Sequence, residues 1–262
     1  PAACTTTEKE EEDIYLIACQ DIKAYDEITL NYISVAKLIN LPRDQYSKYG
    51  IKDFIIALGY KSEIIKDYFI NFKERNSNFN ININSGKIDY YDEISNNWNV
   101  SLIDTGLNTM TGGRINRIKE YLKDEEDFLL TYGDGLCNVN IKELIKFHKS
   151  HKKAATVTAV RPNARFGELL IDDDLVNSFK EKPQTDKGRI NGGYFVFNKK
   201  FLDYIEDNDQ IILEADPLEE ATIRGELKAF KHDGFWQCMD TPRDKEFLES
   251  LSKKSKIYPW LK

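Results

Sequence analysis

From about residue 50 onward, short apolar runs alternate with stretches of helical periodicity, and few architectures accommodate that alternation. "DFIIALGY" (53–60) reads as a strand ended by a glycine turn, followed by the amphipathic "SEIIKDYFINFK" (62–73). "FNININ" (79–84) and "VSLIDTG" (100–106) are strand-like, and "GGRINRIKEYLKDEE" (112–126) predicts a helix with Ile115, Ile118 and Leu122 at helical spacing. "DFLLTYGDG" (127–135), "ATVTAV" (155–160) and "GGYFVFN" (192–198) predict further strands. "NIKELIKFHKSH" (140–151), "KKFLDYIED" (199–207) and "DPLEEATIRG" (216–225) predict helices, and "FGELLIDDDLVNSFKEKP" (166–183) a hairpin. "LKAFKHDGFWQCMD" (227–240) supplies a strand and a turn, and "TPRDKEFLESLSKK" (241–254) a helix with Pro242 near its start. Strands that alternate with helices predict an α/β fold, a mainly parallel sheet with the hairpin as a mixed extension. No internal repeat is present.

One junction raises a chemical question. "FLLTYGDGLCNVN" (128–140) is an apolar run that stops at Asp134, held between Gly133 and Gly135. A short apolar run bounded by glycine fits a buried strand of a parallel sheet, and ligands bind beyond the carboxyl ends of such strands. The glycines let the backbone turn tightly and let another molecule come close. Asp134 is then either a ligand-binding carboxylate or a turn residue that caps its own backbone.

Composition narrows the partners. A chain of 262 residues can bury a substantial core. A formal charge of -7 and a pI near 5.2 speak against general binding to nucleic acid or to anionic membranes. No apolar stretch approaches the roughly 20 residues of a membrane span, and "PAACTTTEKEEED" has neither the basic start nor the apolar centre of a signal peptide. Cys4, Cys19, Cys137 and Cys238 are far apart and lack metal-ligand spacing, which leads to an expectation of reduced thiols in a cytoplasm. His148 and His151 form an H-x-x-H pair with no third ligand nearby, so a solvated helix face is expected rather than zinc. Trp236 is expected to be core.

From Tyr46 to Lys262 the chain resembles the sugar-phosphate nucleotidyltransferases. The likeness is carried by "YSKYGIKDFIIALGYK", "WNVSLIDTGLNTMTGGRI", "FLLTYGDG", "RFGELLI", "FKEKP", "INGGYFVFN" and "GFWQCMDTPRDK", in order and at sensible spacing. The "DTG…MTGGR" and "GFWQCMDT" stretches are similar to the cytidylyltransferase branch. The resemblance implies a Rossmann-like sheet flanked by helices. It also implies CTP and glucose 1-phosphate as substrates, pyrophosphate as a product, and a homo-oligomer. Two polyanions must be brought together, which calls for Mg²⁺ and cationic side chains. By resemblance the metal ligands are Asp134 and Asp240. Thr109, Arg114 and Gly133 fall on the nucleotide side, with Arg114 also catalytic. A helix start beside Gly112 and Gly113 favours anions in general. On the sugar side the resemblance puts Phe166, Gly167, Glu181, Lys182, Asn191 and Gly192, with Lys182 pairing with the sugar phosphate.

Residues 1–45 form a segment apart from this domain. Family members begin with a glycine-rich loop around the triphosphate, whereas here no glycine precedes Gly50. The stretch 13–33, "DIYLIACQDIKAYDEITLNYI", is faintly similar to the closing stretch of a SET-domain methyltransferase, with Tyr32 at a catalytic tyrosine. "IYLIA" (14–18) reads equally as the first strand of the sheet. Two functions follow as expectations: cytidylyl transfer, or a sugar-phosphate-binding remnant in which turnover is lost with the loop.

Overall fold

The computed structural model describes residues 16–19, 51–92, 98–122, 125–162, 168–172, 175–180, 188–254 and 259–261. The strands are β1 (Leu16–Cys19), β2 (Asp53–Leu58), β3 (Phe79–Ile81), β4 (Ile88–Tyr90), β5 (Asn99–Asp104), β6 (Asp127–Thr131), β7 (Gly135–Cys137), β8 (Ala155–Val160), β9 (Glu168–Asp172), β10 (Leu175–Lys180), β11 (Ile190–Asn198), β12 (Leu227–His232) and β13 (Trp236–Cys238). The helices are α1 (Ser62–Ile70), α2 (Phe72–Asn76), α3 (Thr111–Ile118), α4 (Ile141–His151), α5 (Asp216–Ile223) and α6 (Pro242–Lys254).

Among the described residues, the main sheet runs β12-β8-β11-β6-β1-β2-β5. β1 pairs in parallel with both β2 and β6, β2 with β5, and β8 with β12. β11 runs antiparallel to β6 and β8, so every other strand of this sheet points one way. The expected mainly parallel sheet forms, but among the described residues its antiparallel strand is β11, and the hairpin expected to extend it pairs only with itself. Leu16–Cys19 is an internal strand of that sheet, as the strand reading of "IYLIA" expected within two residues. β9 and β10 form the expected hairpin.

Apolar runs rather than alternating ones build the central strands because both faces are covered. On β6, Phe128 and Leu130 pack on one side with Phe195 and Phe197 of β11, while Leu129 packs on the other with Tyr194 and Val196. α3 supplies Ile115 and Ile118 to the first face, and α4 supplies Ile141 and Leu144 to the second. The stacked rings of Phe195, Phe197 and Phe201 lie in the first layer, at centroid separations of 5.3 and 4.1 Å.

Three expectations are revised. The helix from Ser62 breaks at Asn71, whose Nδ2 donates to Asp67 O at 2.8 Å, and a second short helix follows. Of "FNININ", Phe79–Ile81 pairs with β4 in an exposed hairpin outside the main sheet. His148 and His151 do not lie on a solvated face. His148 is buried, and both rings meet Thr156 Oγ1 at 2.8 Å, because spacing of three along α4 points the two at the sheet. His148 Nε2 also lies 3.5 Å from Asp127 Oδ1.

The partly buried His151, His232, Asp127 and Glu226 predict a two-stage loss of stability in acid. Burial, together with the charge of His148, holds His151 below the ordinary histidine range, and burial does the same to His232. The unfolded chain therefore takes up protons at these positions first, and stability falls as pH drops through about 6.5. Burial pushes Asp127 and Glu226 up, but stronger effects hold both down. For Asp127 these are the bonds from His148 and Asn198. For Glu226 they are Lys200, the Ala154 N–H and Lys153, which hold it at about 2. Depressed carboxyls lose their contribution below about pH 4, as the folded pKa is approached. Thermal melts are expected to show Tm falling in two steps, and His151→Gln should flatten the upper one.

Candidate active site

The order of the sheet marks one place for a ligand. From β1 the chain passes to β2 and β5 on one side and to β6 on the other, so strand order reverses between β1 and β6. The crevice outside the carboxyl ends of strands at such a reversal is where open α/β sheets bind ligands. Asp134 follows β6 at that edge. β11 runs the other way, so its start, with Asn191 and Gly192, lies at the same edge.

Asp134 and Asp240 come together there although 106 positions apart in sequence. β7 and β13 pair antiparallel with Cys238 opposite Gly135, and Met239 N–H donates to Asp134 O at 3.0 Å. The two aspartates thus flank one end of a two-stranded ribbon. Cys238 Sγ–H donates to Asp240 Oδ2 at 3.2 Å. Burial pushes this thiol up, and Asp240, Asp244 and Asp134 push it further, to about 12. Three carboxylates thus lie near this thiol, but no group of three or more His, Cys, Asp or Glu side chains among the described residues is arranged to hold a metal, so the fit to a cation rests on Asp134 and Asp240 alone. Asp244 fixes the turn: it accepts from Thr241 N–H at 3.0 Å, Thr241 Oγ1 at 2.7 Å and Gln237 Nε2 at 3.2 Å. Two carboxylates suit magnesium, which keeps most of its water and takes few protein ligands.

On the other flank, Arg114 is fully buried. Its Nη1 donates to Leu58 O at 3.1 Å, Thr105 Oγ1 at 2.6 Å and Gly106 O at 2.9 Å. The guanidinium thereby ties together the carboxyl ends of β2 and β5. Gly59 is required beside it, since a Cβ there would lie 2.6 Å from both terminal nitrogens. Thr109 is buried in the same region. The anion-binding start of α3 expected from Gly112-Gly113 is not open. Met110 N–H donates to Asp209 O, and the N–H groups of Gly112 and Gly113 to Ile211 O. The glycines serve that contact, because a Cβ on Gly112 would meet Ile211 O at 2.9 Å and one on Gly113 would meet Asp209 O at 2.8 Å.

At the start of β11, Asn191 Oδ1 accepts from Gly193 N–H at 2.8 Å, and Gly193 takes a φ of 75°. Asn191 is exposed, and its amide nitrogen is the group it can offer a hydroxyl. Gly192 packs where a Cβ would meet Thr158 O at 2.9 Å. Trp236 packs against the second face of the core, as expected, but is only half-buried, and its Nε1–H donates to Gly192 O at 2.8 Å. Tyr194 Oη–H donates to Gly135 O at 2.8 Å. Both join the Asp134 turn to the start of β11. Nothing in their sequence context marks them, because an aromatic in an apolar run reads as core. Phe166, Gly167, Glu181 and Lys182 lie outside the described residues.

Residues 32–249 match the nucleotidyl transferase family. The chain belongs to that family. A glucose-1-phosphate cytidylyltransferase from Salmonella typhi is 49% identical over 215 residues, 82% of this chain and 83% of the relative. A mannose-1-phosphate guanyltransferase from Hypocrea jecorina is 27% identical over 218 residues, 78% of this chain but 54% of the relative. The crystal structure of HddC from Yersinia pseudotuberculosis, complexed with GMP-PN, superimposes with a TM-score of 0.60 at 23% identity, covering 92% of this chain and 99% of that one, a likeness of fold. As a nucleotidyl transferase the chain is an enzyme, and the match reaches back to residue 32, into the segment that sequence reading sets apart. The comparisons lend nothing to the reading of this nucleotidyl transferase as an inactive remnant. No helix among its described residues is long and apolar enough to cross a membrane.

Proposed function

We infer that the chain transfers a cytidylyl group from CTP to glucose 1-phosphate, giving CDP-glucose and pyrophosphate. The observation that carries this reading is the 49% identity to a glucose-1-phosphate cytidylyltransferase along 83% of its length. The convergence of Asp134 and Asp240 at the strand-order reversal supports it. In the reaction a phosphate oxygen of the sugar phosphate attacks the α-phosphorus of CTP, and the bond from that phosphorus to the bridging oxygen of pyrophosphate breaks.

Asp134 and Asp240 would hold Mg²⁺, which supplies charge neutralisation on phosphate oxygens. Arg114 holds the loops after β2 and β5 and, with Thr109, shapes the nucleotide side; it acts through the backbone it bonds. Asn191 and Gly192 present donors and close-approaching backbone to sugar hydroxyls. The resemblance assigns Glu181 and Lys182 of "FKEKP", with Phe166 and Gly167, to the sugar-phosphate side. A cytoplasmic homo-oligomer is part of the same reading.

Phosphorus NMR of the full chain with CTP, Mg²⁺ and glucose 1-phosphate tests the reading. Stoichiometric diphosphate-sugar and pyrophosphate signals are expected, with CTP preferred to GTP, UTP and dTTP; a better substrate among the other three would overturn the assignment of base. Lys182→Ala is expected to weaken glucose 1-phosphate binding by about 1.5–3 kcal/mol, the scale of a lost charge-assisted contact. Calorimetry with that ligand checks it, and an unchanged Kd would remove Lys182 from the site.

A further inference from the structure

We propose that Glu214 is a positioning residue that sets the Tyr132–Asp134 turn for catalysis, an inference that rests on the function proposed above. Glu214 is exposed and lies far from Asp134 in sequence. Its carboxylate accepts two hydroxyls at once: Thr111 Oγ1–H at 3.0 Å on Oε2, and Tyr132 Oη–H on Oε1. Thr111 opens α3, on the nucleotide flank. Tyr132 stands two positions before Asp134, and its N–H donates to Gly193 O at 3.0 Å, on the sugar flank. Its ring packs where a Cβ on Gly193 would come within 2.9 Å of Cδ2. One carboxylate therefore joins the parts of the edge that must act together.

The bond is not needed to hold the segment that carries Glu214. Residues 209–213 are already fixed to α3. Asp209 O and Ile211 O accept from the N–H groups of Met110, Gly112 and Gly113, Leu213 N–H donates to Thr111 Oγ1 at 2.9 Å, and Arg117 Nε donates to Asp209 Oδ1 at 2.8 Å. What the carboxylate adds is the tie to Tyr132. An exposed hydrogen bond contributes little to global stability, so its removal is felt where a small displacement matters, at the reacting groups. A carboxylate is suited to this because each oxygen takes one hydroxyl in a charge-assisted bond; a glutamine keeps the second contact only if that hydroxyl turns to accept from Nε2, and both bonds lose the charge.

The test compares Glu214→Gln, Tyr132→Phe and the double variant with the unsubstituted chain, by steady-state kinetics and by deuterium exchange of the amides of residues 132–135. Each single variant is expected to lower kcat on the order of tenfold, the effect of a catalytic group held slightly out of place. KM for CTP and for glucose 1-phosphate should stay within about twofold, since uniform binding is not what is lost. Exchange across 132–135 should quicken in both, and the double variant should be no worse than the poorer single, because the two side chains share one bond. Unchanged kcat and exchange in either single variant, additive losses in the double, or a loss confined to KM would overturn the proposal. Should the unsubstituted chain show no turnover, the functional reading fails, and exchange alone decides: quickening in both singles upholds the positioning role, and no change overturns it.

Discussion

Asp134→Asn is expected to lower turnover by roughly 10²–10³-fold, the scale for removing a group that stabilises charge in the transition state. Asp134 sits at the strand-order reversal, in a half-buried turn whose backbone is bonded to Met239. Asparagine keeps the shape and removes the charge. Because the site lies outside the packed layers, Tm should move by no more than about 2–4 °C, equivalent to about 1 kcal/mol for a chain of this size. Binding of Mn²⁺ as a probe should weaken in parallel. Kinetics and a thermal melt on the same sample separate the two effects. A variant with full activity would remove Asp134 from the chemistry, and a collapsed melt would make it a structural turn.

Arg114→Ala is expected to produce the largest loss of stability, about 3–5 kcal/mol, from the vacated volume and the acceptors left behind. Its guanidinium is fully buried and bonds Leu58 O, Thr105 Oγ1 and Gly106 O. Leu58 O keeps partners after the change, because Thr105 N–H and Thr105 Oγ1 both donate to it at 2.8 Å. Gly106 O does not keep the Arg114 bond, and the loops after β2 and β5 lose their common anchor. Arg114→Lys preserves the charge without the planar fork and should recover only part of the loss. Urea unfolding of the three proteins measures this. Near-native stability of the alanine variant would show that the loops are held by other contacts.

The sequence made the sheet legible wherever strands were apolar runs ended by glycine, as at Leu58-Gly59 and Thr131-Tyr132-Gly133. It could not reveal that β11 runs antiparallel, because a strand covered on both faces carries the same apolar pattern in either direction. Asp134 was legible through its glycines and its place after a strand, and Asp240 only through the resemblance. Burial of Arg114 was not legible. A charged residue at a helix start predicts a surface group, and the acceptors that overcome its cost of burial come from Leu58, Thr105 and Gly106. The inward turn of His148 and His151 was hidden in the same way, since the partners Thr156 and Asp127 lie on strands. Glu214 carries no mark in the sequence and Trp236 reads only as core, because their partners, Tyr132 and Gly192, are 82 and 44 positions away.

The central claim is that the edge bearing Asp134 and Asp240 is a working cytidylyltransferase site, and pyrophosphate release tests it most directly. With CTP, glucose 1-phosphate and Mg²⁺, the full chain is predicted to release pyrophosphate continuously, to stop when EDTA is added, and to resume with excess Mg²⁺. No release above the Asp134→Asn variant under those conditions, from a sample with a cooperative melt, would contradict it.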